Sequence, residues 1–239
     1  MKLWHGVLLA TSTLTLSNFA QADLIGIYGS VDYWNLGGDY NEGQSGSRLE
    51  GANALDLDDK GQAQFALSFE HPIPLIPNAR IRHVSIDAET EQSLAGNPTF
   101  DIQLNNTDFI LYYELLDNIV SADVGIAAKR LDGDVTYHGL SGKDKLNISE
   151  TAPMLYGALG AKLPFTGLSA KAEALLTSYS DTKISDVSAE VKYDFVDNLL
   201  VDVGAKAGYR ILNIDLDDQD DIDTKFRFKG PYIGLEAHF

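Results

Sequence analysis

The chain has 239 residues, no cysteine, 18 basic against 35 acidic residues and a formal net charge of −17. A nucleic acid would be repelled without a dense basic patch, and no cluster of that kind exists, so the composition argues against nucleic-acid binding. The absence of cysteine excludes disulfides, thiolate chemistry and a lipidated cleavage point, and no apolar run reaches the roughly 18 residues that a membrane-spanning helix needs.

In chain order, the first segment reads as an export signal. Lys2 gives the positive start, 6–16 the apolar stretch and Ala20-Gln21-Ala22 the small-residue cleavage site. Residues 1–22 are therefore expected to be removed, leaving Asp23 as the mature N-terminus and a chain one unit more negative. Residues 23–239 show no Pro/Ser-rich linker or composition break, and one domain is expected.

From there the apolar period is 2 almost throughout, the signature of strands. In 62–71, Ala63, Phe65, Leu67 and Phe69 oppose Gln62, Gln64, Ser68 and Glu70; in 185–195, Val187, Ala189, Val191, Tyr193 and Phe195 oppose Asp186, Ser188, Glu190, Lys192 and Asp194. The same exercise predicts ten strands, at 24–34, 62–71, 79–87, 100–115, 119–130, 152–163, 168–179, 184–196, 199–211 and 224–239. Pro72 to Asn78, Leu116-Asp117-Asn118, Pro164 to Gly167 and Val196-Asp197-Asn198 form a short set of connections. The other set is 35–61, 88–99, 131–151, a brief one at 180–183, and 212–223, an alternation that matches a transmembrane barrel. Two hairpins echo each other with an offset of one residue, Glu114 to Gly125 and Asp194 to Gly204.

The final strand carries Ile233, Leu235 and Phe239 on one alternating pattern, which fits the interfacial girdle and assembly signal of an outer-membrane barrel. The expected fold is all-β, a single antiparallel transmembrane β-barrel of about ten strands with eight as the alternative, over 23–239, in the bacterial outer membrane. Alternation alone also fits a soluble barrel turned inside out. Small residues on the polar faces, such as Ser121, Gly125 and Ala127 or Gly204 and Gly208, favour a crowded polar lumen and hence the membrane orientation. Arg80 and Arg82 fall in phase with Val84 and Ile86, and the fourth strand changes phase around Asn105-Asn106, so bulges are expected there.

The mature chain resembles the outer-membrane β-barrel family named for a Gly-Gly motif. The likeness is carried by Trp34-Asn35-Leu36-Gly37-Gly38, by His71-Pro72-Ile73-Pro74-Leu75-Ile76-Pro77-Asn78, by Asp108 with Leu111-Tyr112-Tyr113-Glu114-Leu115-Leu116-Asp117-Asn118, by Gly230-Pro231-Tyr232 and by Phe239. The resemblance implies a fold and a compartment without an established activity. The glycine pair itself reads as a turn requiring positive φ.

The candidate chemistry lies in the lumen. Asp123, Lys129, Lys171, Glu173, Asp186, Glu190, Lys192, Asp194, Asp202, Lys206 and Arg210 share the polar face with both signs interleaved. Opposite charges buried in a small barrel are expected to pair, with Asp202, Lys206 and Arg210 of the ninth strand facing Asp186, Glu190 and Lys192 of the eighth. The alternative is a selectivity ring around water, but a barrel of this size encloses little beyond its own side chains. Among the histidines only His138, four residues after Asp134, falls in an expected outer loop. Ten-stranded omptin proteases use acidic residues and a histidine at that rim, yet no omptin motif is carried over and no catalytic residue is assigned. The acidic run Asp215, Asp217, Asp218, Asp220 and Asp221 is a weak calcium candidate; it lacks the glycine and distal glutamate of an EF-hand, and no cofactor is expected. The expected partners are outer-membrane lipid and lipopolysaccharide, and the barrel-assembly machinery during biogenesis. The expected role is a structural or surface-interaction scaffold with a largely plugged lumen. The rivals are a narrow porin-like channel and an outer-rim hydrolase of omptin or lipid-esterase type.

Overall fold

The computed structural model describes residues 25–44, 54–90, 99–139, 142–179, 182–198, 201–219 and 222–239; the expected export signal and Asp23 lie outside the described residues. Ten strands follow one another: β1 (Gly26–Gln44), β2 (Leu55–Glu70), β3 (Asn78–Glu89), β4 (Thr99–Asp117), β5 (Val120–Gly139), β6 (Gly142–Leu163), β7 (Leu168–Tyr179), β8 (Thr182–Asp197), β9 (Asp202–Gln219) and β10 (Ile222–His238). Every sequential pair is antiparallel and β1 closes on β10, giving a closed barrel. Closure satisfies the backbone of the strands through their neighbours wherever the ladders run, although β2 pairs with β3 only over Gln64–Phe69 and β6 with β7 only over Leu155–Leu163. The base is the end at which β1 starts and β10 finishes, and the crown is the opposite end.

The base carries the tight connections, 71–77, 118–119, 164–167 and 198–201. The first is held by the Asn78 side chain, whose Oδ1 accepts the His71 amide at 3.1 Å. Leu75 and Phe165 take the left-handed conformation with φ of 70° and 67°. The two echoing hairpins share one irregularity, since the register of β4 on β5 shifts between Glu114 and Leu116 and that of β8 on β9 shifts between Asp194 and Val196. Their closing pairs, Asp117 with Ser121 and Asp197 with Asp202, differ by the single residue of the offset.

At the crown the strands run much further than the sequence pattern predicted. The expected loop 131–151 is a strand hairpin closing at Gly139 and Gly142, β1 continues to Gln44, β2 begins at Leu55, and β9 and β10 meet around Gln219 and Ile222. The reason is visible along β4, whose even residues point inward from Phe100 to Tyr112. Toward the crown these are Phe100, Ile102 and Leu104, with Asp101, Gln103 and Asn105 outside; toward the base the outside carries Phe109, Leu111 and Tyr113. The chemistry of the two faces is exchanged at mid-height while the faces stay put. The bulges expected near Arg80 and Asn105 are absent, because pairing of β3 with β4 runs without a shift from Asn78 to Glu89.

The barrel therefore consists of two halves with opposite polarity. Around the base half an apolar ring faces outward, including Val31, Phe65, Leu67, Phe109, Leu111, Ile126, Leu155, Leu159, Val191, Ile233 and Leu235. In the crown half the apolar residues turn inward as one dry cluster, including Leu36, Val84, Ile86, Ile102, Leu104, Leu131, Ile148, Ile184, Leu212, Ile214, Phe226 and Phe228. The 20-residue β5 rises about 50 Å at roughly 3.3 Å per residue and a tilt of about 40°. That height is about twice the roughly 25 Å of an outer-membrane apolar band.

Candidate functional site

Beneath the crown cluster a layer of charge spans the lumen. Asp186 of β8 is its hub: Arg210 of β9 donates to both oxygens of Asp186, at 2.9 and 2.7 Å, and Lys129 of β5 and Arg82 of β3 each donate to Oδ2 at 2.9 Å. Arg82 also binds Asp108 of β4 through two nitrogens, at 2.9 and 2.8 Å, and Glu173 of β7 at 2.8 Å. Lys129 completes its shell on Asp108 and on Asn106. Arg82, Lys129 and Arg210 thus face Asp108, Glu173 and Asp186, all six buried, and Arg80 of β3 adds a fourth cation through Glu173 at 2.7 Å. Such a cluster is tolerated inside a protein because each charge meets several opposite partners at hydrogen-bond distance.

A second group lies nearer the base. Lys206 is held by Asp32 of β1 at 3.1 Å, Glu190 at 3.5 Å and Glu236 of β10 at 3.8 Å. Lys192 bridges Glu236 at 3.0 Å and Asp194 at 3.2 Å. Gln64 of β2 links the groups by donating to Asp32 at 2.9 Å and accepting from Arg210. Tyr232 donates to Glu190 at 2.7 Å, over Gly208, where a Cβ would collide with the Tyr232 ring.

Trp34 roofs the charge layer. Its indole lies over the Arg210 guanidinium, 4.8 Å from the ring centroid, and its Nε1 donates to the Gly230 carbonyl at 3.1 Å. That contact needs β1 and β10 to approach closely: a Cβ on Gly230 would sit 1.9 Å from the Asn35 carbonyl, and one on Gly38 would sit 1.7 Å from that of Arg227. Gly38 has φ of +146°, so positive φ is required as expected, but in a strand bulge between Leu36 and Gly38 and not in a turn.

Toward the base the lumen widens into a cavity of about 180 Å³ lined by Glu70, Tyr112, Glu114, Ser121, Lys162, Lys171 and the basal group. Its inner end is the charge layer. Lys171 stands at 3.9 Å from Asp123, half-exposed. Tyr112 donates to Glu70 at 2.5 Å.

Of the residues singled out in the sequence, Asp123, Lys129, Lys171, Glu173, Asp186, Glu190, Lys192, Asp194, Lys206 and Arg210 all line this lumen or its mouth. The expected partnership of β9 with β8 needs correction in two places. Lys192 takes Glu236 and Asp194 in place of Asp202, which pairs with His238 at 3.3 Å. The nearest partner of Lys206 is Asp32, from the strand that closes the barrel. Sequence reasoning missed Arg80, Arg82 and Asp108, because the third and fourth strands look irregular in period, and Asp32 and Glu236, because their contacts depend on β1 and β10 closing the barrel. Two arginines in phase with Val84 and Ile86 were the available signal.

His138 meets Asp101 of the neighbouring strand, at 2.7 Å, on the outer wall of the crown. Asp134 instead pairs with Lys145 at 3.0 Å. Asp134 and His138 thus take different partners. Asp215 pairs with Lys225 at 3.8 Å. The side chains of Asp217 and Asp218, and Asp220 and Asp221 altogether, lie outside the described residues. Among the described residues no cluster of three metal-ligating side chains occurs.

No protein-family model matches the chain, and no curated protein matches it significantly. Among solved structures it is similar to the outer membrane protease OmpT from Escherichia coli, at 12% identity over 93% of this chain and 99% of that one, with a TM-score of 0.46. The translocator domain of the autotransporter NalP from Neisseria meningitidis is similar at 10% identity over 92% and 90%, with a TM-score of 0.43. Neisserial surface protein A is similar at 10% identity over 91% and 98%, with a TM-score of 0.34. No residue role is carried over from them.

Proposed function

We propose that this protein is an integral β-barrel of the bacterial outer membrane that serves as a sealed structural and surface-interaction scaffold, with its base toward the periplasm. The observation that carries this reading is the double closure of the lumen. The charge layer from Asp186 to Asp108 crosses it at mid-height, and the Trp34 to Phe228 cluster fills it from there to the crown. Water would have to displace buried ion pairs and then a dry apolar core to pass, and neither step is favourable. The outward ring around the base half supports the membrane assignment, since a ring of that extent is costly in water and matches the apolar band of a transmembrane barrel. The role of Ile233, Leu235 and Phe239 as an assembly signal, and membership of the Gly-Gly family, are part of the same proposal. Among the described residues, what the protein offers to the exterior is the polar wall of its crown.

Reconstitution in planar bilayers tests the seal. The wild type is expected to give no steady conductance; reproducible ion-selective channels would replace the scaffold by the porin-like reading. Electrophoresis in SDS tests the closed barrel, with unheated protein migrating apart from boiled protein and keeping its β circular dichroism.

A further inference from the structure

We infer that the outer face of β10 binds the phosphorylated headgroup of an outer-leaflet glycolipid through Lys225, Arg227 and Lys229. The inference rests on the transmembrane orientation proposed above and names a ligand for it. The three cations alternate along one strand and therefore point the same way, about 7 Å apart. The next residues outward on that strand are Pro231, Ile233 and Leu235, so the cations stand directly above the apolar ring. Tyr33 of β1 is in register with Ile233, and Tyr209 of β9 with Pro231; both rings are about half exposed and mark the top of the band.

The pairing of these cations differs from that of most cations elsewhere on the crown wall, Lys143 at the tip of β6 being the other one without an ion pair among the described residues. Lys60 binds Asp87 at 3.0 Å, Arg130 binds Asp132 at 3.1 Å and Lys145 binds Asp134 at 3.0 Å. Among the described residues Arg227 and Lys229 have no ion pair, and Lys225 reaches Asp215 only at 3.8 Å. Asp39 is opposite Arg227 in register without pairing to it. Arg227 and Lys229, adjacent and without an ion pair at the level where lipid headgroups lie, are complementary to phosphate, with Lys225 only loosely held by Asp215. An arginine fork binds two phosphate oxygens and the lysines add point charge. Acyl chains of the same molecule would lie along Ile233 and Leu235. The β3–β5 side of the wall carries Asp87, Asp101, Asp132 and Asp134 and would repel the same headgroup.

The test uses the purified full chain in neutral detergent, with diphosphoryl lipid A added and the thermal midpoint of the compact unheated band as the readout. Lipid A is expected to raise the midpoint of the wild type. In Arg227→Gln/Lys229→Gln its half-maximal concentration is expected to increase at least about ten-fold, while Lys145→Gln responds as wild type. Both single variants are read as well, so that a folding defect in the double variant does not hide the effect. An unchanged response in folded Arg227→Gln and Lys229→Gln overturns the site, as does equal stabilisation by dephosphorylated lipid A or by phosphatidylglycerol vesicles. Those results leave the membrane barrel standing. Recovery of folded protein from the soluble fraction without detergent would sink both.

Discussion

At the scale of single residues, the buried cations have stakes that can be ranked by their partners. Lys206→Ala leaves Asp32 without its nearest cation in a buried site, and the expected loss is roughly 3–5 kcal/mol, less where cavity water reaches the carboxylate. Adding Asp32→Asn should recover more of that loss than adding Glu190→Gln, because Asp32 is closer and more deeply buried than Glu190. Thermal midpoints in detergent decide it, and equal recovery by the two second changes would show that the charge is shared evenly. The glycines offer a separate comparison. Gly38 and Gly142 both have strongly positive φ, at +146° and +137°, yet a Cβ on Gly38 meets the Arg227 carbonyl and one on Gly142 meets open space. Gly38→Ala is therefore expected to cost well over about 1 kcal/mol and Gly142→Ala about that much or less, as read from the same midpoints. Alternation in the sequence was enough to put Lys206 and Arg210 in the lumen. It could not supply Asp32 as a partner, because that contact depends on β1 closing against β10 across the length of the chain.

At the scale of the strand, each element carries two patterns in series. Asn105 and Leu111 share the outer face of β4 but lie on either side of the exchange. Leu111→Arg is expected to cost about 2–4 kcal/mol if it lies near the bilayer midplane, and Asn105→Arg close to nothing. The yield of compact unheated barrel after refolding into lipid vesicles measures both, and equal yields would refute the division of the wall. The exchange also explains what was legible. Strands whose apolar outer stretch is long, such as β8 with Val187 to Phe195, were evident from period 2 alone. The crown halves of β5 and β6 look like loop in the sequence because Asp132, Asp134, Lys143 and Lys145 break the expected apolar face. Their inward partners Leu131, Val135 and Ile148 keep the same period with the opposite sign. The base turns were legible because Pro, Asn and Asp punctuate them, and the echoing hairpins proved to share a bulge as well as a sequence.

At the scale of the whole molecule, the two seals in the lumen are separable. Asp186→Asn removes charge from the residue that Arg82, Lys129 and Arg210 all contact, so the thermal midpoint should fall substantially. Conductance in planar bilayers should nevertheless stay at baseline, since the apolar crown remains intact. Steady channels from Asp186→Asn would mean that the charge layer alone holds water back.

The opposed polarity of the two halves has a mechanical corollary. Displacing the molecule outward along the bilayer normal would wet the greasy ring at Phe65, Phe109 and Leu159; displacing it inward would drag Asp87, Asp101 and Arg227 into hydrocarbon. In the proposed orientation both excursions are resisted, so the barrel would float at a set waterline, and a bilayer that thins or thickens would have to deform around it.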